Sequence, residues 1–406
     1  MTLNLWLDFP IFTALLSTKR VTKIKRKIII IGPAYPYRGG NSLFVSSLFE
    51  ALRNDFEVKI FNYKLLYPSF LFPGKTQYDE SIKLVKSIPS ERIVNSISPF
   101  NWVSVARKVK KEDADLVVFD WWHPFFSFCH FTISTLIKAK YKRKILFITE
   151  NVISHEGNLP DKLLTKIGLC NAYSFLALSD DVVKSLNSYN YKQKIYRSEL
   201  PVYDWYKTEN NEQNNSLKTN LGFKEEDKIL LFFGYVRRYK GLGILIEAMK
   251  MLVDEEKKYK LLIVGEFYDD PKIYKDQINR LGLNSNIQII NEYVPNEEVG
   301  KYFNISDVVV LPYRSATQSG ILNIAYGFNK PVIVTKVGGL TESVEDGKTG
   351  VVVDESLPVK IADAVRKYYN LALTINFKDN VAKTSQQNSF NKISGIFEQI
   401  ISETVK

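Results

Sequence analysis

Short runs of apolar, β-branched residues alternate with helical segments along this chain, in two successive series. The first series opens with KIIIIGP at 27–33, and the second opens with KILLFFG at 228–234. A fully apolar run of this kind is typical of a central strand in a parallel sheet whose two faces are covered by helices. Such sheets bind ligands beyond the carboxyl ends of their strands. The sequence therefore predicts an α/β protein with two doubly wound, Rossmann-like parallel-sheet domains that face a cleft.

The other elements follow the same alternation. Residues 64–100 show no clear pattern, and the polar, Asn-rich stretch 206–220 predicts either a hinge linker or an exposed loop. Strands are predicted at 56–63, 115–122, 144–151, 173–179, 259–266, 287–293, 307–313, 330–335 and 349–354, and helices at 42–52, 242–253, 274–281 and 297–304.

Two domains also follow from the length, because 406 residues exceed what one ordinary core accommodates. We place an amino-terminal extension at 1–22, an amino-terminal domain at 23–205 and a carboxyl-terminal domain at 206–385. A last helix at 386–406 could pack back on the amino-terminal domain. Each domain would supply one wall of the cleft.

The chain is basic, with a formal net charge of +11. A basic surface attracts nucleic acid, anionic lipid or phosphorylated ligands. No zinc-finger spacing or paired aromatic strand motif is present, so we do not expect nucleic acid as a partner. The two cysteines, Cys129 and Cys170, lie in apolar surroundings without metal-ligand spacing, which predicts two core thiols in a reducing cytosol.

The first eighteen residues are apolar but are interrupted by Asp8 and Pro10. This run is too short and broken for a spanning helix, and its basic residues follow the apolar part rather than precede it, unlike a signal peptide. An interfacial anchor on an anionic membrane and a non-structural extension both remain open. The expected location is therefore cytoplasmic, with peripheral association on the inner face of the plasma membrane as an open alternative.

A strand, a polar turn and a helix follow one another between Val308 and Phe328. The turn Ser315–Gly320 reads SATQSG, and the apolar helix follows it directly. A glycine at a strand-to-helix turn lets the backbone approach a ligand closely, and a helix N-terminus offers unpaired N–H groups with a partial positive charge. The pattern predicts an anion site suited to a phosphate or diphosphate.

A second strand-to-helix turn, GYVRRYKG at 234–241, adds fixed cations to the same arrangement. Arg can place two N–H donors on two phosphate oxygens, and Lys adds a compact charge. A solvated basic turn would look the same in isolation. Together with the turn Ser315–Gly320, it favours a site for a nucleoside diphosphate.

The carboxyl half resembles glycosyltransferase family 4, a group of retaining, metal-independent sugar-nucleotide enzymes with the GT-B fold. The resemblance implies a UDP- or GDP-linked sugar as donor, no cofactor, no metal, and a glycan or lipid-linked glycan as acceptor. It also implies that the carboxyl-terminal domain binds the donor and that the amino-terminal domain faces the acceptor. The matching segments are FFGYVRRYKGL, LLIVGE, VVVLPY, SATQSGILNIAYGFNKPVIVT and VGGLTESVEDGKTG.

The resemblance makes Lys240 the diphosphate lysine and Arg237 the best candidate for the diphosphate arginine, since Tyr235 occupies the family's usual arginine position. Many members carry two glutamates eight positions apart, and Ala316 and Ile324 stand at those positions here. Part of that role is expected to pass to the turn Ser315–Gly320. The donor-binding residues implied by the resemblance are Gly39, Gly40, Gly234, Gly265, Glu266, Thr317, Gln318, Ser319 and Gly320.

The amino half matches the family at two places. Gly39 and Gly40, beside Arg38, lie where the family has a glycine-rich loop near the donor phosphates. His123 ends a strand within FDWWHPFFSF and matches a family histidine that contacts the donor sugar. His123 could otherwise be a packed core residue, but its position at a strand end favours the site.

A polar cluster follows the strand at 144–151. The cluster could bind acceptor hydroxyls or could cap the next helix, and the sequence leaves both readings open. Its residues are Glu150, Asn151, His155 and Glu156. We group Asn151, His155 and Glu156 with Arg38 on the acceptor side. No histidine and carboxylate spacing typical of a metal site is present.

These features predict a hexosyltransferase that moves a sugar from a nucleoside diphosphate to a hydroxyl acceptor. The resemblance implies retention at the anomeric carbon and a place in bacterial cell-surface polysaccharide or lipopolysaccharide synthesis. The absence of the paired glutamates keeps two alternatives open, a non-catalytic binding or scaffold subunit and a sugar-nucleotide epimerase of the same fold.

Overall fold

The computed structural model describes residues 25–72, 74–81, 87–152, 159–203 and 211–405. Within these residues the chain forms two parallel sheets, one in each half. The prediction of two Rossmann-like domains is confirmed, and the architecture is that of the GT-B fold. The predicted extension at 1–22 and the polar residues 206–210 lie outside the described residues.

The amino-terminal sheet has seven strands in the order β3-β2-β1-β4-β5-β6-β7, all parallel within the described pairs. Its strands are β1 Lys27–Ile31, β2 Glu57–Leu65, β3 Ser90–Asn95, β4 Leu116–Trp121, β5 Ile145–Thr149, β6 Ser174–Ala177 and β7 Lys194–Arg197. Its helices are α1 Gly40–Leu52, α2 Pro99–Glu112, α3 Ser127–Ile137, α4 Leu159–Leu169 and α5 Asp180–Ser188.

The carboxyl-terminal sheet has six strands in the order β10-β9-β8-β11-β12-β13, and its described pairs are also parallel. Its strands are β8 Lys228–Phe233, β9 Tyr259–Val264, β10 Ile287–Ile290, β11 Val308–Leu311, β12 Val332–Thr335 and β13 Gly350–Val353. The helices of this half are α6 Asn211–Asn220, α7 Leu242–Glu255, α8 Pro271–Leu281, α9 Val299–Ile305, α10 Gly320–Gly327, α11 Pro358–Leu371, α12 Phe377–Gln387 and α13 Phe390–Val405.

The central strands are buried on both faces, as their apolar sequences predict. Odd-numbered residues of β1 and β4, such as Ile29 and Val117, enter the core on the α2 and α3 side. Even-numbered residues, such as Ile30 and Val118, enter the core on the α1 side. Since strand residues alternate between faces, one apolar run fills both cores.

Two local predictions were wrong. The polar stretch 206–220 was expected to be a linker or loop, but residues 211–220 form α6, whose Leu217 packs with the following Leu221 against the carboxyl-terminal core. One apolar pair four residues apart therefore anchors a helix that is otherwise polar. The second wrong prediction concerned the thiols, because Cys129 is buried whereas Cys170 is exposed.

The last helix, α13, returns to the amino-terminal half. Its residues Ile393, Phe397 and Ile400 are fully buried in the same core as Ile30 and Phe44. The helix therefore joins the two halves on the side of α1. No helix among the described residues is long and apolar enough to cross a membrane.

This packing gives a stability prediction. We expect Phe397→Ala to lower the free energy of unfolding by about 3–5 kcal/mol, because it removes a ring from a site with no exposed surface. Chemical denaturation followed by circular dichroism measures the change. Leu373→Ala is the control, since its side chain is 85% exposed and should change stability by less than about 0.5 kcal/mol. Equal stabilities of both variants would contradict the assigned packing.

Candidate functional site

Two adjoining cavities lie where the carboxyl ends of the two sheets face each other. The smaller has a volume of about 250 Å³ and the larger a volume of about 570 Å³. Both are lined by residues from both halves of the chain. They share the lining residues Gly39, Gly40, Tyr235, Tyr239 and Lys240.

Most of the residues implied for the donor meet around the smaller cavity. The amino-terminal half contributes the start of α1 and Tyr203, and the carboxyl-terminal half contributes mainly the loops after its strands. Ile324, at one of the two missing glutamate positions, also lines this cavity and gives it an apolar patch. The predicted residues found here are Gly39, Gly40, Gly234, Lys240, Gly265, Glu266, Gln318, Ser319 and Gly320.

Lys240 lies on the wall common to both cavities. Its side chain is only 8% exposed, and its ammonium lies 5.6 Å from the ring centre of Tyr313. No carboxylate pairs with it among the residues that the structure describes. Burial, and then the positive charge of Arg237, lower the pKa of Lys240 to about 7. A buried ammonium with no carboxylate partner in the described structure is suited to an anionic ligand.

The turn before α10 supplies N–H groups to the same cavity. Ser319 is the N-cap of α10, and its side chain forms no capping hydrogen bond, so the first N–H groups of the helix lack that partner. The buried Oε1 of Gln318 has no hydrogen-bond partner in the described structure. The turn therefore offers donors and one acceptor beside Lys240.

Glycine is required where the loops of this half pack backbone against backbone. Gly265 has φ 145°, and a Cβ there would overlap the carbonyl of Gly234. Gly241 has φ 74°, and a Cβ there would overlap the carbonyl of Pro312. These contacts hold the loops after β8, β9 and β11 together, which places Lys240 opposite α10.

His123 lines the larger cavity just after β4. Its Nδ1 accepts a hydrogen bond from the backbone N–H of Phe125 at 3.1 Å. Burial lowers the pKa of His123; the charge of Asp161 opposes this shift, and the charge of Arg237 adds to it. A neutral ring whose Nδ1 is an acceptor carries its proton on Nε2, so His123 can donate a hydrogen bond there.

Arg237 also lines the larger cavity, and it does not line the smaller one. Its guanidinium lies 4.8 Å from the ring centre of Tyr268. No ion pair joins it to a carboxylate within the described ranges, and its charge lowers the pKa values of His123 and Lys240. Arg237 therefore adds positive charge to the larger cavity.

Aromatic side chains form the amino-terminal wall of the larger cavity. Tyr67 packs against Phe125 with ring centres 5.1 Å apart and accepts a hydrogen bond from Trp122 Nε1 at 3.0 Å. Tyr67 belongs to the stretch 64–100, in which the sequence showed no pattern. The residue was missed because a loop that lines a cavity has no periodicity.

Arg38 and Glu266 form a pair and are not both available to a ligand. Their side chains form an ion pair between the two halves, with only 2% and 6% of their surfaces exposed. Glu266 also accepts a hydrogen bond from the backbone N–H of Lys75 at 2.7 Å. The carboxylate expected at the donor is therefore bound by two groups of the amino-terminal half.

The remaining predicted residues divide into two groups. Asn151 lines the larger cavity, and its side-chain oxygen accepts a hydrogen bond from the Thr317 hydroxyl across the two halves. His155 and Glu156 lie outside the described residues. The structure thus brings Asn151 and Thr317 together at the meeting point of the two halves.

Asp120 and Glu150 form a buried acid pair behind the α1 turn; the sequence pointed to Glu150 as part of a polar cluster, but not to Asp120 or to the pairing. Asp120 has no exposed surface, and neither of its oxygens has a partner in the described part of the chain. Burial, and then the charge of Glu150, raise the pKa of Asp120 well above its usual value. Burial also raises the pKa of Glu150 to about 7, and its Oε2 accepts from Asn41 at 2.8 Å. The only signal for Asp120 was a carboxylate inside an apolar strand.

Glu342 also joins the two halves, beside the turn before α10. Its carboxylate accepts hydrogen bonds from the backbone N–H groups of Asp180, at 2.9 Å, and Asp181. It also pairs with Arg197 at 2.6 Å. A carboxylate at the N-terminus of α5 is electrostatically favourable, so Glu342 ties the carboxyl-terminal half to the amino-terminal half.

Comparison with known proteins agrees with this geometry. Residues 213–387 match the family model described as "Glycosyl transferases group 1". The carboxyl-terminal half is therefore similar to glycosyltransferase domains of this family. It contains Lys240, the loops that pack around it, and the turn before α10. The matched range does not include the amino-terminal half.

Curated relatives are similar to parts of this chain. The chain is 28% identical over 165 residues to a D-inositol 3-phosphate glycosyltransferase of Corynebacterium glutamicum, covering 39% of each chain. It is 26% identical over 190 residues to the lipopolysaccharide 1,2-N-acetylglucosaminetransferase of Salmonella typhimurium, covering 45% of this chain and 49% of the relative. The chain thus spans less than half the length of these two relatives.

Solved structures extend the similarity to both halves. A crystal structure of Anabaena HepE in complex with UDP matches with a TM-score of 0.71 at 17% identity, covering 93% of this chain and 100% of that chain. The same protein has also been solved with UDP-glucose. At this identity the match establishes the GT-B fold alone.

The buried lysine gives a second stability prediction. A folded pKa of about 7 for Lys240 lies below the unfolded value of about 10.4, so the unfolded chain binds the proton more tightly between these values. Lys240 therefore costs stability at neutral and lower pH. We expect Lys240→Met to be more stable than wild type by roughly 2–4 kcal/mol at pH 6, with the difference shrinking towards pH 10.

Denaturant unfolding at several pH values measures this difference. The control is Lys360→Met, because Lys360 is exposed and should show a change below about 0.5 kcal/mol with no trend in pH. A loss of stability in Lys240→Met at pH 6 would show that the ammonium has a stabilising partner and would contradict the geometry described above.

Proposed function

We propose that this protein is a glycosyltransferase that moves a hexose-type sugar from a UDP- or GDP-linked donor to a hydroxyl of a glycan acceptor. One observation supports this most strongly. The ammonium of Lys240 is buried without a carboxylate partner in the described structure, at the wall shared by the two cavities. A diphosphate at that wall would leave the nucleoside in the smaller cavity and the sugar in the larger one.

The groups around this wall suit the departure of a diphosphate. Negative charge develops on the leaving oxygen as the bond to the anomeric carbon breaks, and fixed positive groups lower the energy of that state. This negative charge would be stabilised by groups that are already in place: Lys240, Arg237 and the N–H groups at Gly320. In this proposal the positive charge that stabilises the leaving diphosphate comes from the protein's own side chains and backbone.

The larger cavity would hold the transferred sugar and the acceptor. His123 would donate from Nε2 to a hydroxyl of the donor sugar and fix its orientation. Retention would follow from attack on the same face as the leaving group, with a phosphate oxygen taking the acceptor proton. The bond from the anomeric carbon to phosphate breaks, the bond to the acceptor oxygen forms, and the proton ends on the released diphosphate.

The acceptor would belong to cell-surface glycan synthesis. The name of the Salmonella relative, a lipopolysaccharide glycosyltransferase, supports this class. A lipid-linked glycan would be reached from the cytoplasmic face of the membrane. The net charge of +11 would favour peripheral contact with anionic lipid there.

Nucleotide binding tests the proposal. In the free protein Lys240 loses its proton near pH 7, while a bound diphosphate would raise its pKa and hold the proton. Binding above pH 7 must then take up a proton, so the Kd for UDP or GDP should rise by roughly tenfold per pH unit between pH 7.5 and 9. Titration calorimetry measures the Kd, and the enthalpy in buffers of different ionisation heat measures the proton uptake.

Two variants sharpen the test. Lys240→Arg keeps its charge, so its affinity should not vary with pH in that range. Lys330→Met removes another largely buried lysine, whose pKa is lowered to about 8 and whose ammonium donates to the Ser306 carbonyl at 2.7 Å, away from both cavities. That variant should bind like wild type. Absence of UDP and GDP binding by wild type would favour a scaffold subunit and contradict the proposal.

A further inference from the structure

A loop of the amino-terminal half reaches across the cleft after β2. It comprises residues 66–72 and 74–81, and we call it the strap. Its backbone is joined to Arg38, since Arg38 N–H donates to the Gln77 carbonyl at 3.0 Å. Leu66, Tyr67, Leu71, Phe72 and Gln77 of the strap line the larger cavity. The strap is therefore the part of the amino-terminal half that shapes the proposed acceptor subsite.

The middle of the strap is held by the carboxyl-terminal half. The Lys75 N–H donates to Glu266 Oε1 at 2.7 Å, and the other oxygen of Glu266 pairs with Arg38. A Cβ at Gly74 would lie 3.0 Å from the Tyr268 hydroxyl, so the strap passes close to the loop after β9. Both oxygens of Glu266 therefore contact groups of the amino-terminal half.

A second tie lies further along the strap. Asn296 donates from its backbone N–H to Ser81 Oγ at 2.9 Å, and from Nδ2 to Asp79 at 2.7 Å. The guanidinium of Arg38 also lies 4.3 Å from the ring centre of Tyr293. The loops after β9 and β10, which line the smaller cavity, thus hold both the strap and Arg38.

Gln77 connects these contacts of the strap to the aromatic wall of the larger cavity. Gln77 Oε1 accepts from the Tyr67 N–H at 3.1 Å, and its Nε2 donates to the Tyr67 carbonyl at 2.8 Å. Tyr67 in turn packs on Phe125 and accepts from Trp122. A continuous series of contacts therefore joins Glu266 in the carboxyl-terminal half to the rings of the larger cavity.

We propose that Glu266 is a positioning residue for the acceptor subsite and not a ligand of the donor. It holds the strap from the nucleotide-binding half, so the aromatic wall takes its shape only when the two halves are together. Binding of a nucleoside diphosphate, which contacts both halves in the proposed function on which this inference rests, then stabilises the strap through Glu266. The acceptor subsite is completed after the donor binds.

Amide hydrogen exchange of residues 74–81, with and without UDP or GDP, tests this role. In wild type we expect a saturating nucleotide to slow exchange of the strap by at least threefold. In Glu266→Gln the strap should exchange about tenfold faster in the free protein, because the charge that holds Arg38 is gone. The variant should bind the nucleotide within threefold of the wild-type Kd, and the nucleotide should no longer slow the strap.

Two further variants make the result specific. Arg38→Gln should also speed amide exchange of the strap. Exchange in the double variant should be no faster than in either single variant, as expected for one shared interaction. Glu255→Gln is the matched control, because Glu255 is a carboxylate on the same half that is 55% exposed and pairs with Arg366. It should behave as wild type in both measurements.

Two outcomes would overturn the role of Glu266. One is a Kd raised tenfold or more in Glu266→Gln with an unchanged strap, which would make Glu266 a donor ligand. The other is equal strap exchange in Glu266→Gln and wild type without nucleotide. If wild type binds neither UDP nor GDP, the proposed function fails, but the exchange of the free proteins still decides whether Glu266 holds the strap.

Discussion

The ammonium group of Lys240 lies in the cleft with little contact with water and with no carboxylate beside it in the described structure. Removing a charge from water is costly unless another group compensates for it. The surrounding elements maintain this unfavourable position. Gly241 allows the loop after β8 to pack on the loop after β11, and Gly265 allows the next loop to pack on Gly234. The buried ammonium thus lowers the stability of the free protein, and an anion bound beside it would remove this cost.

Polar contacts join the two halves around this charge. Glu266 binds Arg38, and Glu342 binds the start of α5. Helix α13 adds an apolar connection behind α1. Polar contacts between domains exchange readily with water, whereas a packed helix does not. This distribution would let the cleft open while α13 keeps the halves together.

The sequence predicted the fold and many of the residues that line the two cavities, because both depend on local patterns. Strand runs such as KILLFFG specify a buried parallel sheet, and glycines beside cations mark the turns that line the cavities. The strap and the acid pair were not predicted. Tyr67 and Gln77 lie in a loop without periodicity, and the partners of Glu266 are more than a hundred residues away. Long-range polar contacts leave no pattern in a single sequence, and α6 was missed because only one leucine pair anchors it.

The central claim is that the buried ammonium binds a diphosphate together with the turn before α10. A crystal structure of the protein with UDP or GDP tests this most directly. We predict that oxygens of the terminal phosphate lie within hydrogen-bonding distance of Lys240 Nζ and of the Gly320 N–H, with the nucleoside in the smaller cavity. A diphosphate bound elsewhere, with Lys240 left without an anionic neighbour, would contradict this account of the cleft.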